Sequence, residues 1–234
     1  MTKRVGLILI CTVLFCFSAG GDLFGGDIAT FVNLGFSDDS RYFMFGQYGI
    51  LEEQSRPYAE IYMVDVGAND FTTGGVKKRT FDGPVQPGQV GLGALLNLLE
   101  SSTSLTSRFG IDHLNTGRLL YILLNGEEPK SLLNFRDFNT GSHYTIHLIQ
   151  AEYGSGETVS ASFHIDMKVT SASGNTRHFI VGIPNYRRKN VKNYRIKQIT
   201  LSPDEESIIF LIEKEEKDTA GSNIRYMVET VRIQ

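Results

Sequence analysis

Alternation between apolar and polar residues runs along most of the chain and predicts β-strands. Residues 159–169, VSASFHIDMKV, show it most clearly, because every second side chain from Phe163 onward is apolar. The polar residues on the opposite face of this predicted strand are Ser162, His164, Asp166 and Lys168. The following SASGN is a turn sequence, so the strand and TRHFIVGI form a predicted hairpin.

One segment has the spacing of a helix instead. Leucines recur at the interval of a single buried helical stripe, at Leu92, Leu95, Leu96 and Leu99. The helix is expected to fray in the serine- and threonine-rich SSTSLTSR that follows. The pattern as a whole predicts a mainly β fold of antiparallel sheets with one inserted helix.

Two stretches at opposite ends of the chain repeat the same residues in the same order. The matched residues are Ser37, Asp39 and Phe45 in the first stretch and Ser202, Asp204 and Phe210 in the second, at an offset of 165 residues. A second match, YMVD at 62–65 against YMVE at 226–229, has an offset of 164 residues. We predict an internal repeat with copies at about 28–82 and 194–234.

The repeated pattern resembles the blades of tricorn-type β-propellers, including the periplasmic propeller of the Tol system. The shared features are an apolar-Ser-x-Asp turn, a Phe on the next strand, and a strand of the type Ile-Tyr-x-x-acid. The resemblance implies that the Asp turn joins the first strand of a blade to the second. It favours propeller-like antiparallel sheets, with a β-sandwich as the alternative.

The chain also resembles a family of predicted secreted bacterial proteins that is classed only as a domain of unknown function. The matching stretches are FVNLGFSDDSRYFMFGQYG, PYAEIYMVDV, FRDFNTG, VGIPNYRRKNVKNY and RYMVET. This resemblance implies export and an all-β build, and it brings no catalytic residues with it.

Residues 1–20 have the layout of a secretory signal peptide. Lys3 and Arg4 precede an apolar run at 5–17, and small residues follow it up to Gly20. A retained N-terminal anchor is the alternative. Cleavage leaves residues 21–234 as a single, mainly β domain that is secreted or periplasmic and has no transmembrane span.

Cleavage would also remove both cysteines of the chain, Cys11 and Cys16. A mature chain without thiols has no disulfides, no cysteine nucleophile and no thiolate metal site.

The strongest charge feature lies at residues 186–197, where six positive charges fall within eleven residues. The predicted binding residues are Tyr186, Arg187, Arg188, Lys189, Lys192, Tyr194, Arg195 and Lys197. For an exported protein, the expected partners are an envelope protein, anionic lipid headgroups or polysaccharide, and not nucleic acid. Alternatively, the acidic run at 204–218 neutralises this segment across neighbouring strands.

Histidines offer the remaining candidate chemistry. His143 and His147 are four residues apart, which on a strand is roughly 13 Å and too far to share one metal ion. His164 and Asp166 share a strand face at roughly 6.6 Å, but no third ligand follows at a useful spacing. We therefore predict no metal site and no cofactor.

Two further motifs have structural interpretations. In GQVGLG, Leu96 stands where a dinucleotide-binding loop has its third glycine, which favours a flexible segment before the helix. Asp38, Asp39 and Asp204 lack the spacing of a calcium loop, and turn capping explains them.

These features together predict an exported, non-catalytic binding or scaffolding module of the bacterial cell envelope. One alternative is a hydrolase of envelope glycans or peptides that uses His164 and Asp166. The other is a purely structural envelope protein.

Overall fold

The computed structural model of the chain describes residues 27–51, 54–83, 85–86, 89–218 and 221–234. The predicted signal peptide, including both cysteines, lies outside the described residues. Over the part that is described, no helix has the length and apolar character needed to cross a membrane.

Strands make up most of the described chain. They are β1 (Thr30–Ser37), β2 (Tyr42–Leu51), β3 (Arg56–Asp65), β4 (Asp70–Thr80), β5 (Ile111–Asp112), β6 (Arg118–Ile122), β7 (Leu132–Arg136), β8 (His143–Tyr153), β9 (Ser160–Thr170), β10 (Thr176–Val181), β11 (Arg188–Lys189), β12 (Val191–Leu201), β13 (Ser207–Asp218) and β14 (Gly221–Arg232). The helices are α1 (Leu92–Glu100) and α2 (Thr103–Phe109), with a short 3₁₀ turn at Gly156–Thr158.

The strands form three antiparallel sheets. Sheet one has the order β4-β3-β2-β1-β5, and sheet three has the order β14-β13-β12-β6. Sheet two has the order β10-β9-β8-β7, with β11 also paired to β9. Most neighbours in these sheets are also neighbours along the chain. The exceptions are β5, β6 and β11, which pair with β1, β12 and β9 respectively.

Sheet three lies between the other two sheets. One of its faces packs against sheet two through residues such as Phe210, Ile212 and Phe163. Its other face packs against sheet one through Ile209 and Leu211, which alternate with the first set along β13. Because sheet three is covered on both sides, Ser207 at the start of β13 is followed by the continuous apolar run IIFLI.

The two helices cover the outer face of sheet one. Leu95 and Leu98 pack on Met44 and Ile61 in a third core cluster. A side chain on Gly46 would place its Cβ 2.8 Å from Leu95, so the glycine leaves room for the helix on the sheet. The layers therefore run from helices to sheet one, sheet three and sheet two.

The prediction of a mainly β, antiparallel fold is confirmed. The prediction of a single helix is wrong, because the residues expected to fray form α2 in the described chain. Leu105 of α2 is buried against sheet one. The rings of Phe109 and Tyr42 pack edge to face, with their centroids 4.7 Å apart. Ser102 and Thr103 donate to the last carbonyls of α1 at 2.7 Å each, which explains the hydroxyl-rich junction.

The predicted leucine stripe of α1 is also only partly right. Leu95 is buried and Leu99 is half-buried, whereas Leu92 and Leu96 are 40% and 57% exposed. The helix is turned so that Ala94, Leu95 and Leu98 face the sheet. The start of the helix sets this orientation, since Gly91 lies directly against Gly49.

The propeller-like arrangement is not confirmed. The sheets form an open stack in which none closes into a barrel, and the helices cover one end of the stack. The first predicted repeat copy corresponds to β1–β4 of sheet one, and the second to β12–β14 of sheet three. The repeats therefore lie in two sheets stacked face to face.

Candidate functional site

The two Asp turns have the same hydrogen bonds. In the first, the Ser37 hydroxyl donates to Asp39 at 2.6 Å and accepts from the Tyr42 amide at 2.9 Å. In the second, the Ser202 hydroxyl donates to Asp204 and accepts from the Ser207 amide at 2.9 Å.

Each Asp carboxylate also accepts from a backbone amide two residues further on, at 3.1 Å in both turns. The Ser37 hydroxyl is the main cause that lowers the pKa of Asp39, which keeps this carboxylate ionised. The aspartates thus act as turn caps, as the sequence predicted.

The two Asp turns also touch each other. The Asp204 amide donates to the Ser40 hydroxyl at 3.2 Å, which joins the ends of sheets one and three. Carboxylates line a shallow groove here, but two of them have arginine partners. Arg41 pairs with Asp65, and Arg232 pairs with Glu206. Within the described chain, no three His, Asp or Glu side chains come together in a way that could hold a metal ion.

The two copies of the second sequence match, YMVD at 62–65 and YMVE at 226–229, do not pair with equivalent positions of the neighbouring strand. Phe45 pairs with Tyr62 in sheet one, but its counterpart Phe210 pairs with Glu229 in sheet three. YMVE at 226–229 therefore lies three residues out of step with YMVD at 62–65. The repeat is structural at the Asp turn, and the similarity further along reflects strand composition alone.

Arg188, from the predicted basic segment, lies in the interior where the three sheets meet. Its guanidinium is 3.4 Å from Glu229 of sheet three and lies over the rings of Phe163 and Tyr186. Glu229 also accepts a hydrogen bond of 2.6 Å from Asn69, in the β3–β4 turn of sheet one. Burial raises the pKa of Glu229, while Asn69 and Arg188 oppose that rise. Arg188 is therefore a structural residue in this geometry.

Other members of the segment are paired across strands. Arg195 contacts Glu213 at 3.1 Å and Glu215 at 3.6 Å, as the neutralised alternative predicted. Lys192 lies 2.6 Å from the Ser222 hydroxyl and 3.9 Å from Glu215.

Tyr194 is 1% exposed, and Lys197 donates to Asn125 at 3.3 Å. The exposed members next to Arg188 are Tyr186, Arg187 and Lys189. The eight predicted residues thus do not form one surface, and binding by the segment stays a prediction.

The predicted histidine pairs all lie on sheet two. His143 and His147 are exposed on β8, and the register places His147 directly opposite Asp166 of β9. His164 lies two residues before Asp166 on the same face, next to Ile149. His143, His147 and Asp166 are exposed on this face, and His164 is half-buried. The hydrolase alternative at His164 and Asp166 stays a prediction.

The glycine-rich segment before α1 has a packing role. A Cβ on Gly91 would lie 2.6 Å from the Gly49 carbonyl oxygen. The backbone at Gly91 thus lies directly against β2, and the flexibility of the segment stays a prediction.

A pocket of about 380 Å³ opens at one end of the stack, between sheets two and three. We call it the end pocket. Its apolar lining comes from Tyr144 and Val169 of sheet two, from Leu201 of sheet three, and from Ile233, which follows β14. Hydroxyl and amide groups line the rest, at Thr140, Ser142, Ser171, Ser173, Asn175 and Gln234.

The charged groups of the end pocket are already engaged. Arg177 donates to the Ile233 carbonyl at 2.7 Å, and Glu205 accepts two hydrogen bonds from Arg118 at 2.9 and 3.1 Å. Ser171 and Ser173 share a hydrogen bond of 2.8 Å at the rim. Apart from the Arg177 guanidinium, which keeps its positive charge, the pocket therefore presents neutral hydrogen-bonding groups above an apolar floor, an arrangement suited to a polar ligand with an apolar face.

Arg118 fixes one wall of the end pocket. It holds Asp137 through two hydrogen bonds of 2.8 and 3.0 Å and reaches Glu205 with the same guanidinium. These contacts lower the pKa of Asp137 to about 2, with the Arg118 hydrogen bond as the largest cause. Because Asp137 belongs to the β7–β8 turn and Glu205 to the second Asp turn, the bridge ties the two sheets at the pocket.

Sequence reasoning did not find the end pocket. Its residues come from four separate parts of the chain, and none belongs to a recognisable motif. A partial signal was the polar SASGN turn, which the sequence placed correctly at the end of the β9–β10 hairpin.

Comparison with known proteins gives one family match. A family model described as "Predicted secreted protein (DUF2259)" matches residues 44–232. The search of curated proteins found no match.

Proposed function

The chain belongs to this family of predicted secreted proteins, and we propose that it is a non-catalytic binding module of the bacterial cell envelope that takes its ligand in the end pocket. The observation that carries the proposal is the composition of the pocket walls. An apolar floor under a rim of hydroxyl and amide groups matches the chemistry of a sugar ring, which has apolar C–H faces and hydroxyl edges.

A non-catalytic role agrees with the side chains that line the pocket. Ser171 and Ser173 bond to each other, and the lining holds no histidine that could activate them. Its one carboxylate, Glu205, is held by Arg118. The pocket therefore contains groups that bind and orient a ligand and lacks a nucleophile with its base.

Filling the end pocket provides the test. We expect Ser173→Phe to abolish retention of the chain on an array of envelope-type glycans, because the ring enters the pocket from its exposed rim. Thr73→Phe is the matched control, since it adds the same bulk to an exposed position on β4 of sheet one. The thermal midpoint of both variants is expected to stay near that of the wild type. Equal retention by wild type and Ser173→Phe, or no retention of the wild type on any glycan, would contradict the proposal.

The exposed part of the basic segment is a second proposed binding surface, for an acidic envelope protein. Its support is that Arg187 and Lys189 reach solvent without a carboxylate partner in the described chain, and that Arg187 lies flat over the Tyr153 ring at 3.8 Å. We expect the double change Arg187→Glu with Lys189→Glu to remove crosslinks to such a partner in intact cells. An unchanged crosslinking pattern, with the variant folded, would rule out this surface.

A further inference from the structure

The outer face of sheet two is a surface that sequence reasoning treated only in fragments. Register places four strands side by side, so that Arg136, His143 and Thr170 form one row across the face. The next row contains Thr145, Lys168 and His178. The outward residues that carry charge or titrate on β7–β10 are Arg136, His143, His147, His164, Asp166, Lys168 and His178.

Four of the five histidines of the chain thus lie on one sheet face. His143, His147 and His178 are exposed and His164 is half-buried, while the residues between them on each strand, such as Ile146 and Ile165, are fully buried. No described element covers this face.

The positive charges of this face have no ion-pair partners in the described chain. Neither Arg136 nor Lys168 lies within ion-pair distance of a carboxylate, in contrast to Arg195 and Arg225, each of which contacts an acid within 3.1 Å. Asp166 is the one acidic side chain at the outward positions of β7–β10. The surface therefore lacks the compensating acids found elsewhere on the molecule.

Aliphatic side chains lie among these charges. Leu132, Ile149 and Ile180 point outward and are 49%, 37% and 58% exposed. Ile180 and Leu132 occupy the same row as Asp166 and His147, at the two edges of the sheet. A soluble polyanion would offer these side chains no apolar contact, whereas the interface of a lipid bilayer accepts both aliphatic and cationic groups.

We propose that the outer face of sheet two docks on an anionic lipid bilayer, with Arg136, Lys168 and the histidines against the headgroup phosphates and the three aliphatic side chains at the acyl boundary. Charge complementarity selects the anionic lipid, and the exposed aliphatic side chains select a bilayer over a soluble polymer. This surface is distinct from the end pocket and does not depend on the ligand proposed there.

Besides Arg136 and Lys168, the four imidazoles of this face offer ring N–H groups that can donate hydrogen bonds to headgroup phosphates. The groups that share this face with the histidines are Arg136, Asp166 and Lys168. Arg187, stacked on Tyr153, extends the positive surface at the far end of β8.

Co-sedimentation with vesicles tests the proposal. The probes are phosphatidylcholine vesicles with and without about 30% phosphatidylglycerol. We expect measurable affinity for the anionic vesicles alone. Arg136→Gln with Lys168→Gln should lower that affinity by about tenfold or more, and Ile149→Ser with Ile180→Ser should also weaken it.

The matched control removes the same charge from another sheet. Lys77→Gln with Arg79→Gln neutralises two exposed cations on β4 and should leave vesicle binding unchanged. Three results would overturn the proposal: equal binding to neutral vesicles, an equal loss in the control pair, or binding to dextran sulfate without binding to vesicles. Loss of glycan retention in the Ser173→Phe variant with intact vesicle binding would separate this surface from the end pocket.

Discussion

Replacing Arg188 by alanine is expected to lower the free energy of unfolding by about 3–5 kcal/mol. The Glu229 side chain is 8% exposed, and Arg188 is the cation that contacts it. Without the guanidinium, a carboxylate remains buried among the three sheets with only Asn69 as a donor. The change also removes the cation–π contacts of Arg188 with Phe163 and Tyr186, at 5.2 and 5.0 Å from the ring centroids.

Urea denaturation of the wild type and variant measures this loss. Lys189→Ala is the matched control, because Lys189 follows Arg188 on β11 and is exposed, and its change should stay within about 0.5 kcal/mol. Because burial favours the protonated form of Glu229, the loss in Arg188→Ala should become smaller as the pH falls. In the double variant Arg188→Ala with Glu229→Gln, no buried charge remains, and we expect it to be more stable than Arg188→Ala alone. A loss below about 1 kcal/mol in Arg188→Ala would show that the pair does not hold the sheets together.

Truncating Phe210 is expected to cost about 3–5 kcal/mol. Its ring is completely buried between sheets two and three, so alanine leaves a cavity that the packed sheets on both sides cannot close. Phe45, its counterpart in the first repeat, is equally buried between sheets one and three, and Phe45→Ala should cost a similar amount.

Phe138→Ala is the control for both truncations. Phe138 is 88% exposed, and its loss should change the free energy of unfolding by less than about 0.5 kcal/mol. Chemical denaturation of the three variants under one condition gives the comparison. A small effect at either Phe45 or Phe210 would contradict the conclusion that the two repeat copies form the central layers of the fold.

Local patterns allowed the β-structure and the Asp turns to be predicted. The alternation in β9 gives its buried and exposed faces correctly, because a strand that is covered on one side must alternate. The turns at Ser37 and Ser202 were readable because the side chains bond to their own backbone within five residues.

Long-range packing explains the errors. The residues of α2 form a helix because Leu105 and Phe109 have sheet one to pack on, which no local propensity reveals. Leu92 and Leu96 have helical spacing, but their exposure depends on how the helix is turned on the sheet.

The candidate sites were harder to predict than the fold. The basic segment was conspicuous as a run of charge, yet Arg188 and Arg195 meet their acids on strands that are distant in sequence or paired across a sheet. The end pocket and the outer face of sheet two become visible only when the strand order is known, because their members come from separate hairpins.

The repeated Asp turns are architecture, and we propose that binding takes place in the end pocket of sheets two and three. Glycan-array retention and the thermal midpoint, measured on the same samples of Asp204→Asn and Ser173→Phe, separate these two roles. We expect Asp204→Asn to lower the midpoint and keep retention, and Ser173→Phe to keep the midpoint and lose retention. Loss of retention in a fully folded Asp204→Asn variant, with Ser173→Phe still bound, would contradict this assignment.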